Sequence, residues 1–216
     1  MTGEELRSTA EKWDARYAES GQRWSGRVNP VLSEVAASLE PGTALDVGCG
    51  EGGDAVWLAE QGWTVVGLDL SAVALERAAA AAAARGVAAR CTWVRGDITD
   101  DGIGPRLGTG ARFDLVSTHY VHEPAGTRTA AWLAEADLTA PGGLLLVVGH
   151  HPDDEHPAGR GPRDPSLAYV PGDVTAVLAS VTGLAIESAD VRERAAEGPD
   201  GHITRRDTVV VARRTS

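Results

Sequence analysis

Residues 43 to 53 read Thr43-Ala44-Leu45-Asp46-Val47-Gly48-Cys49-Gly50-Glu51-Gly52-Gly53. Ala44, Leu45 and Val47 make a short buried strand, after which the glycines let the backbone turn sharply and approach a ligand with no Cβ in the way. From Gly53 a helical pattern starts, with Val56, Leu58, Ala59 and Trp63 apolar. Strand, glycine turn and helix leave free backbone N–H groups and a positive helix end beside whatever sits over the turn. The stretch is a cofactor seat.

Gly48, Gly50 and Gly53 also spell G-x-G-x-x-G, the dinucleotide fingerprint. Asp46 separates the two readings, because it makes D-x-G-x-G-x-G from Asp46 to Gly52. A carboxylate there repels the pyrophosphate of a nicotinamide dinucleotide. It attracts the sulfonium and ammonium of S-adenosylmethionine (SAM). At these residues the chain resembles the class I SAM-dependent methyltransferases, whose first motif has this form.

A length of 216 residues fits one α/β domain with a sizeable core. A formal charge of -11 argues against nucleic acid as the main partner, since phosphate binding needs a basic surface. No apolar run is long enough to cross a membrane, and Glu4, Glu5 and Arg7 do not make the basic-then-apolar start of a signal peptide. The expectation is a cytoplasmic protein with no membrane partner. Cys49 and Cys91 form no metal-type spacing and no disulfide framework.

Beyond the turn, Thr64 to Asp69 reads as a second strand ending in an acid 19 residues after Gly50. An acid there accepts hydrogen bonds from ribose hydroxyls, with Leu70 beside it; the plain alternative is a helix cap or turn residue. Ser71 opens a helix through the alanine block 78–84, and Cys91 to Val94 is a third strand leading to Asp97 and Ile98. Phe113-Asp114-Leu115-Val116 starts a fourth strand that carries His119, Tyr120 and His122 toward the carboxyl edge, where ligands of open α/β sheets gather. After a helix to Leu138, Pro141-Gly142-Gly143 precedes the run Leu144 to Val148, a fifth strand buried on both faces.

His150-His151-Pro152-Asp153-Asp154-Glu155-His156 follows, dense in possible metal ligands. Pro152 breaks regular spacing and no second cluster matches it, so no metal is expected. His150 and His151 are expected beside the substrate pocket and the acids in a solvated loop, which continues to Tyr169. Leu184 to Val191 and Ile203 to Ala212 read as two strands joined by the polar segment Arg194 to Gly201, with no helix between, hence an antiparallel pair.

The resemblance implies a Rossmann-like α/β fold: a seven-stranded, mostly parallel sheet with an antiparallel last strand and helices on both faces. Residues 1–30 would be an N-terminal helical arm or lid and residues 31–216 the SAM-binding domain. The resemblance also implies that Asp97 bonds the adenine amino group while Ile98 packs on the ring. Cofactor contacts would then come from Trp24, Asp46, Gly48, Cys49, Gly50, Asp69, Leu70, Asp97 and Ile98. Trp13 and Tyr17 either dock the arm or help line the substrate pocket, together with Tyr120 and Tyr169. If a small-molecule acceptor must lose a proton from O, N or S, the candidate bases are His119, His122, His150 and His151, each of which could instead be a satisfied core histidine. S-adenosylhomocysteine (SAH) would be the product. The W-D-x-R-Y arm is similar to the branch with tellurite-resistance and thiopurine methyltransferase-like proteins. An NAD(P)-dependent oxidoreductase and an inactive SAM-binding regulatory protein are the alternatives.

Overall fold

The computed structural model describes residues 3–19, 21–108, 110–121, 123–155, 164–198 and 201–215. Helices α1 (Gly3–Ala18) and α2 (Pro30–Ala36) lead into β1 (Thr43–Val47), α3 (Gly53–Glu60), β2 (Thr64–Asp69), α4 (Ala72–Ala84) and β3 (Cys91–Arg95). Then come α5 (Ile103–Leu107), β4 (Phe113–His119), α6 (Ala125–Leu138), β5 (Thr139–His150), α7 (Pro171–Leu178), β6 (Leu184–Gly198) and β7 (Gly201–Arg214). The seven strands pair in the order β3-β2-β1-β4-β5-β7-β6. Only β7 runs against the others, pairing antiparallel with both β5 and β6. This is the architecture expected from the sequence.

Strand alternation explains the layers. Along β5, Leu145 and Val147 pack with Leu45, Val116 and Val210 against Trp132 of α6 and Leu178 of α7. Leu144, Leu146 and Val148 face the other way, onto Leu32 of α2 and Leu58 and Trp63 beside α3. Both faces are covered, so the central strands read as continuous apolar runs.

Two expectations change in detail. Pro141-Gly142-Gly143 lies inside β5 rather than before it, and the β4–β5 register shifts between Phe113 and Leu115, which absorbs the irregular segment. The polar segment after Arg194 is not a connection either: β6 and β7 stay paired as far as Gly198 with Gly201. Cross-strand charge explains this, since Glu193 meets Arg206 at 2.8 Å and Arg194 meets Asp207 at 3.0 Å. The hairpin therefore overhangs the carboxyl ends of the parallel strands, because β5 ends where His150 pairs with Asp207.

Candidate active site

Strand order reverses at β1, with β2 and β3 to one side and β4 and β5 to the other. The crevice at the carboxyl ends of β1 and β4 is the topological switch point, where open α/β sheets bind ligands. The glycine turn occupies it. Gly48 and Cys49 donate their N–H groups to the Leu68 carbonyl at 2.8 and 3.0 Å, tying the turn to β2. A Cβ on Gly48 would meet Val121 at 2.4 Å, so the segment after β4 lies directly against the turn. Gly50 has φ +52, and its N–H donates to Asp69 Oδ2 at 2.8 Å. Ser71 N–H donates to the other oxygen, Oδ1, at 2.8 Å. Burial raises the Asp69 pKa, and the two amides hold the rise back.

The other expected cofactor residues lie around this turn and along β2 and β3. Leu70 is half-buried and its carbonyl accepts from Arg95. Asp97 is buried and its Oδ1 accepts from the Thr99 N–H and hydroxyl, both at 2.7 Å. Ile98 is buried with Ile103 and Leu107. Cys49 is buried, and burial keeps its thiol well above the ordinary pKa.

Asp46 does not face the open side of the turn. It is 2% exposed, accepts from the Ala55 N–H of α3, and adjoins Asp54 and His119. Burial, then the Asp54 and Asp69 charges, push its pKa to about 7, with His119 opposing. Asp54 links two parts of the chain: Oδ1 accepts the Asn29 N–H at 2.6 Å and Oδ2 lies 2.7 Å from His119 Nδ1. Among the described residues, the buried His119 Nε2 and Asp46 Oδ2 have no hydrogen-bond partner. Burial alone would lower the His119 pKa, but the adjacent Asp54 and Asp46 carboxylates raise it.

Helix α1 and the following link close over the turn. Asp14 accepts from Ser71 Oγ at 2.6 Å and Arg95 at 3.1 Å, and the Tyr17 carbonyl accepts from Arg77 at 2.8 Å. Trp24 donates its indole N–H to the Tyr17 hydroxyl at 3.0 Å. Glu51 of the turn accepts from the Arg23 and Trp24 amides and from Arg77. Trp13 is half-buried, 6.0 Å from the Tyr17 ring and under Arg16.

A second polar group stands farther along the same edge. Tyr120 has φ +54 and stacks on His150 at 4.6 Å, and its hydroxyl adjoins Asp207 and Arg194. His150 Nδ1 lies 2.8 Å from Asp154 Oδ2, and Arg205 donates to both Asp154 oxygens at 2.9 Å. Asp154 is thus a buried partner, not part of a solvated loop. His151 Nδ1 accepts the Asp153 N–H at 3.1 Å. Tyr169 is 4% exposed, edge-on to Trp132 at 5.1 Å, with its hydroxyl against Gly149, so it packs in the core below this edge. His122 and His156 lie outside the described residues.

Among the described residues, two groups bring possible metal-ligating atoms within 4.8 Å of one another: Asp46, Asp54 and His119, and His150, Asp154 and Asp207. In the second, the Arg205 and Arg194 guanidiniums hold the positions beside Asp154 and Asp207 that a cation would take. A surface hollow of about 390 Å³ between Pro105, Arg112 and Leu138 lies at the amino end of β4, away from these groups. Sequence reading missed Asp54, Asp14, Arg77, Arg205 and Asp207, whose partners are distant in the chain. The one available signal was Asp54 in the first turn of the helix after the glycines.

Residues 44–143 match the family model described as a methyltransferase domain. A 2-heptyl-1-hydroxyquinolin-4(1H)-one methyltransferase of Mycobacteroides abscessus is 34% identical over 129 residues, 58% of this chain and 54% of that protein. The ribosomal RNA small subunit methyltransferase C of Alcanivorax borkumensis is 34% identical over 116 residues, 51% of this chain and 33% of that protein. The matches thus span about half and a third of these curated relatives. A solved structure from work on the conversion of a disulfide bond into a thioacetal group during echinomycin biosynthesis is similar with TM-score 0.72 and 26% identity. It covers 95% of this chain and 91% of that one. Among the described residues no helix is long and apolar enough to cross a membrane. The reversed β7, the D-x-G-x-G-x-G turn at the switch point and the methyltransferase-domain match over residues 44–143 make this chain similar to the class I SAM-dependent methyltransferases.

Proposed function

We propose that this chain transfers a methyl group from SAM to an O, N or S atom of a small molecule. The observation that carries the reading is Asp69, whose two oxygens each accept one backbone N–H beside the glycine turn. Each oxygen keeps a lone pair for a ribose hydroxyl. The turn also takes the arm: a side chain on Gly50 would run into the Tyr17 hydroxyl at 2.9 Å, so only glycine lets Tyr17 close over the turn.

When bound, SAM supplies a methyl carbon already activated by a positive sulfur, so the protein mainly positions and dehydrates. Asp69 would hold the ribose and Asp97 with Ile98 the adenine. The buried Asp46, Asp54 and His119 group would set the charge under the methionine part. Tyr17 and Trp24 would form a lid, with residues 1–30 as the arm. Tyr120 and the overhanging β6–β7 hairpin would border the acceptor.

The charge of -11 favours a small molecule over ribosomal RNA, although one relative acts on the latter. Methyl-labelled SAM offered with phenols, thiols, amines and ribosomal RNA tests the reading. Label is expected in a small molecule; label only in RNA would contradict the substrate class. A protein that binds SAM and labels nothing would favour a regulatory role.

A further inference from the structure

Two histidines at the carboxyl edge are held by carboxylates, and their surroundings differ. His150 is part of a lock: Asp154 beside its Nδ1 is engaged by two Arg205 donors and by the Arg206 backbone N–H at 2.7 Å. That carboxylate ties the end of β5 to the hairpin. His119 stands at the switch point, on the strand next to the glycine turn, with a side chain 6% exposed. Asp54 takes its Nδ1 at 2.7 Å, which in the neutral ring leaves the proton on Nδ1 and a lone pair on Nε2. Nε2 is buried and meets no hydrogen-bond partner among the described residues. A buried polar atom of this kind requires an explanation, and one beside a ligand crevice is explained by a ligand group.

We propose that His119 takes the acceptor's proton at Nε2, that Asp54 is its positioning residue, and that the acceptor therefore bears a proton on the atom to be methylated. The inference rests on the methyltransferase reading and deepens it to a substrate class: a hydroxyl, thiol or protonated amine rather than a preformed anion. The proton passes from the acceptor atom to Nε2, and that atom's electron pair forms the new bond to the methyl carbon. The carbon–sulfur bond breaks with its electrons left on sulfur, and His119 gives the proton to water admitted when the product leaves. The Asn29 N–H on the second Asp54 oxygen, at 2.6 Å, joins the base to the link that carries Trp24. The base is thus set in place when the arm is docked.

Charged groups facing His119 are Asp54 from α3 and Asp46 from β1, with Asp69 of β2 acting on Asp46. All are acidic, so the ring keeps its proton to higher pH than a free histidine, and the base form grows as pH rises through that midpoint. D54N removes the nearest carboxylate, which moves the midpoint down and frees the tautomer.

The decisive measurement is nitrogen NMR of the full chain labelled at histidine, titrated with SAM and with SAH. At a pH above that midpoint the proposal expects a neutral His119 protonated on Nδ1 with a bare Nε2 in wild type, and a mixed tautomer in D54N. With the same SAM and a panel of phenols, thiols and amines, H119Q is expected to lose about 10²- to 10⁴-fold in kcat. D54N should lose less and shift the pH profile to lower pH. A proton on Nε2 in wild type above that midpoint, or H119Q at full activity, overturns the base assignment. SAM bound with no protic class labelled overturns the substrate class. Failure of SAM itself to bind would instead remove the methyltransferase reading beneath it.

Discussion

The Tyr17 hydroxyl accepts the Trp24 indole N–H at 3.0 Å and lies 2.9 Å from where a Gly50 Cβ would stand. One contact therefore joins the N-terminal arm to the cofactor turn. Gly50→Ala combines two costs. At φ +52 a side chain is strained by roughly 1 to 2 kcal/mol, and the new methyl pushes Tyr17 off the turn. Gly86→Ala has similar strain at φ +72 and open space around it. Denaturant midpoints should fall for both variants. Only Gly50→Ala should also raise hydrogen exchange in residues 9–27 and weaken SAM.

The lock between β5 and the hairpin gives a stability prediction. Arg205 and Asp154 have side chains 10% and 0% exposed, so removing one leaves a buried charge without its partner. Arg205→Met should cost about 3 to 5 kcal/mol in urea unfolding. The double variant Asp154→Leu with Arg205→Met should recover much of that loss. A loss below about 1 kcal/mol for Arg205→Met would mean the pair is not desolvated in solution.

The sequence was most legible where chemistry is local. The Asp46 to Gly53 turn and the two strands with no helix between them each carry their structural meaning within a few residues. Asp154 reads as a loop acid from its neighbours, because its burial comes from Arg205, 51 residues away. Asp54 reads as a helix-start acid, since nothing near it announces His119, 65 positions on. The hairpin's length was hidden for a related reason. Its polar residues look like a loop singly and become strand only when Glu193 faces Arg206 and Arg194 lies within reach of Asp207. Asp46 was legible in kind and not in direction: its spacing from the glycines is plain, whereas its turn toward His119 depends on the fold.

A buried acid away from the site supplies a pH prediction. Glu135 of α6 is 1% exposed, its Oε2 has no partner among the described residues, and burial lifts its pKa to about 8, with Thr118 opposing. The folded state keeps this proton where the unfolded chain has already lost it. Its contribution to stability is whole below the ordinary carboxyl value of 4.5 and is lost as pH rises to about 8. Within that window the loss is roughly 1.4 kcal/mol per pH unit. Glu135→Gln carries no such proton. Its stability should therefore fall less than wild type's between pH 5 and pH 8 in parallel denaturant titrations, by about that slope. Parallel curves would show that Glu135 is solvated and ionised.

The most direct test is a calorimetric titration of wild type and Asp69→Ala with SAM, with NAD as the comparison ligand. The account predicts that wild type binds SAM and not NAD. It also predicts that Asp69→Ala weakens SAM by at least about tenfold, since each charged hydrogen bond lost is worth about 1.5 to 3 kcal/mol. Binding of NAD at the glycine turn, or equal SAM affinity in the two proteins, would contradict it.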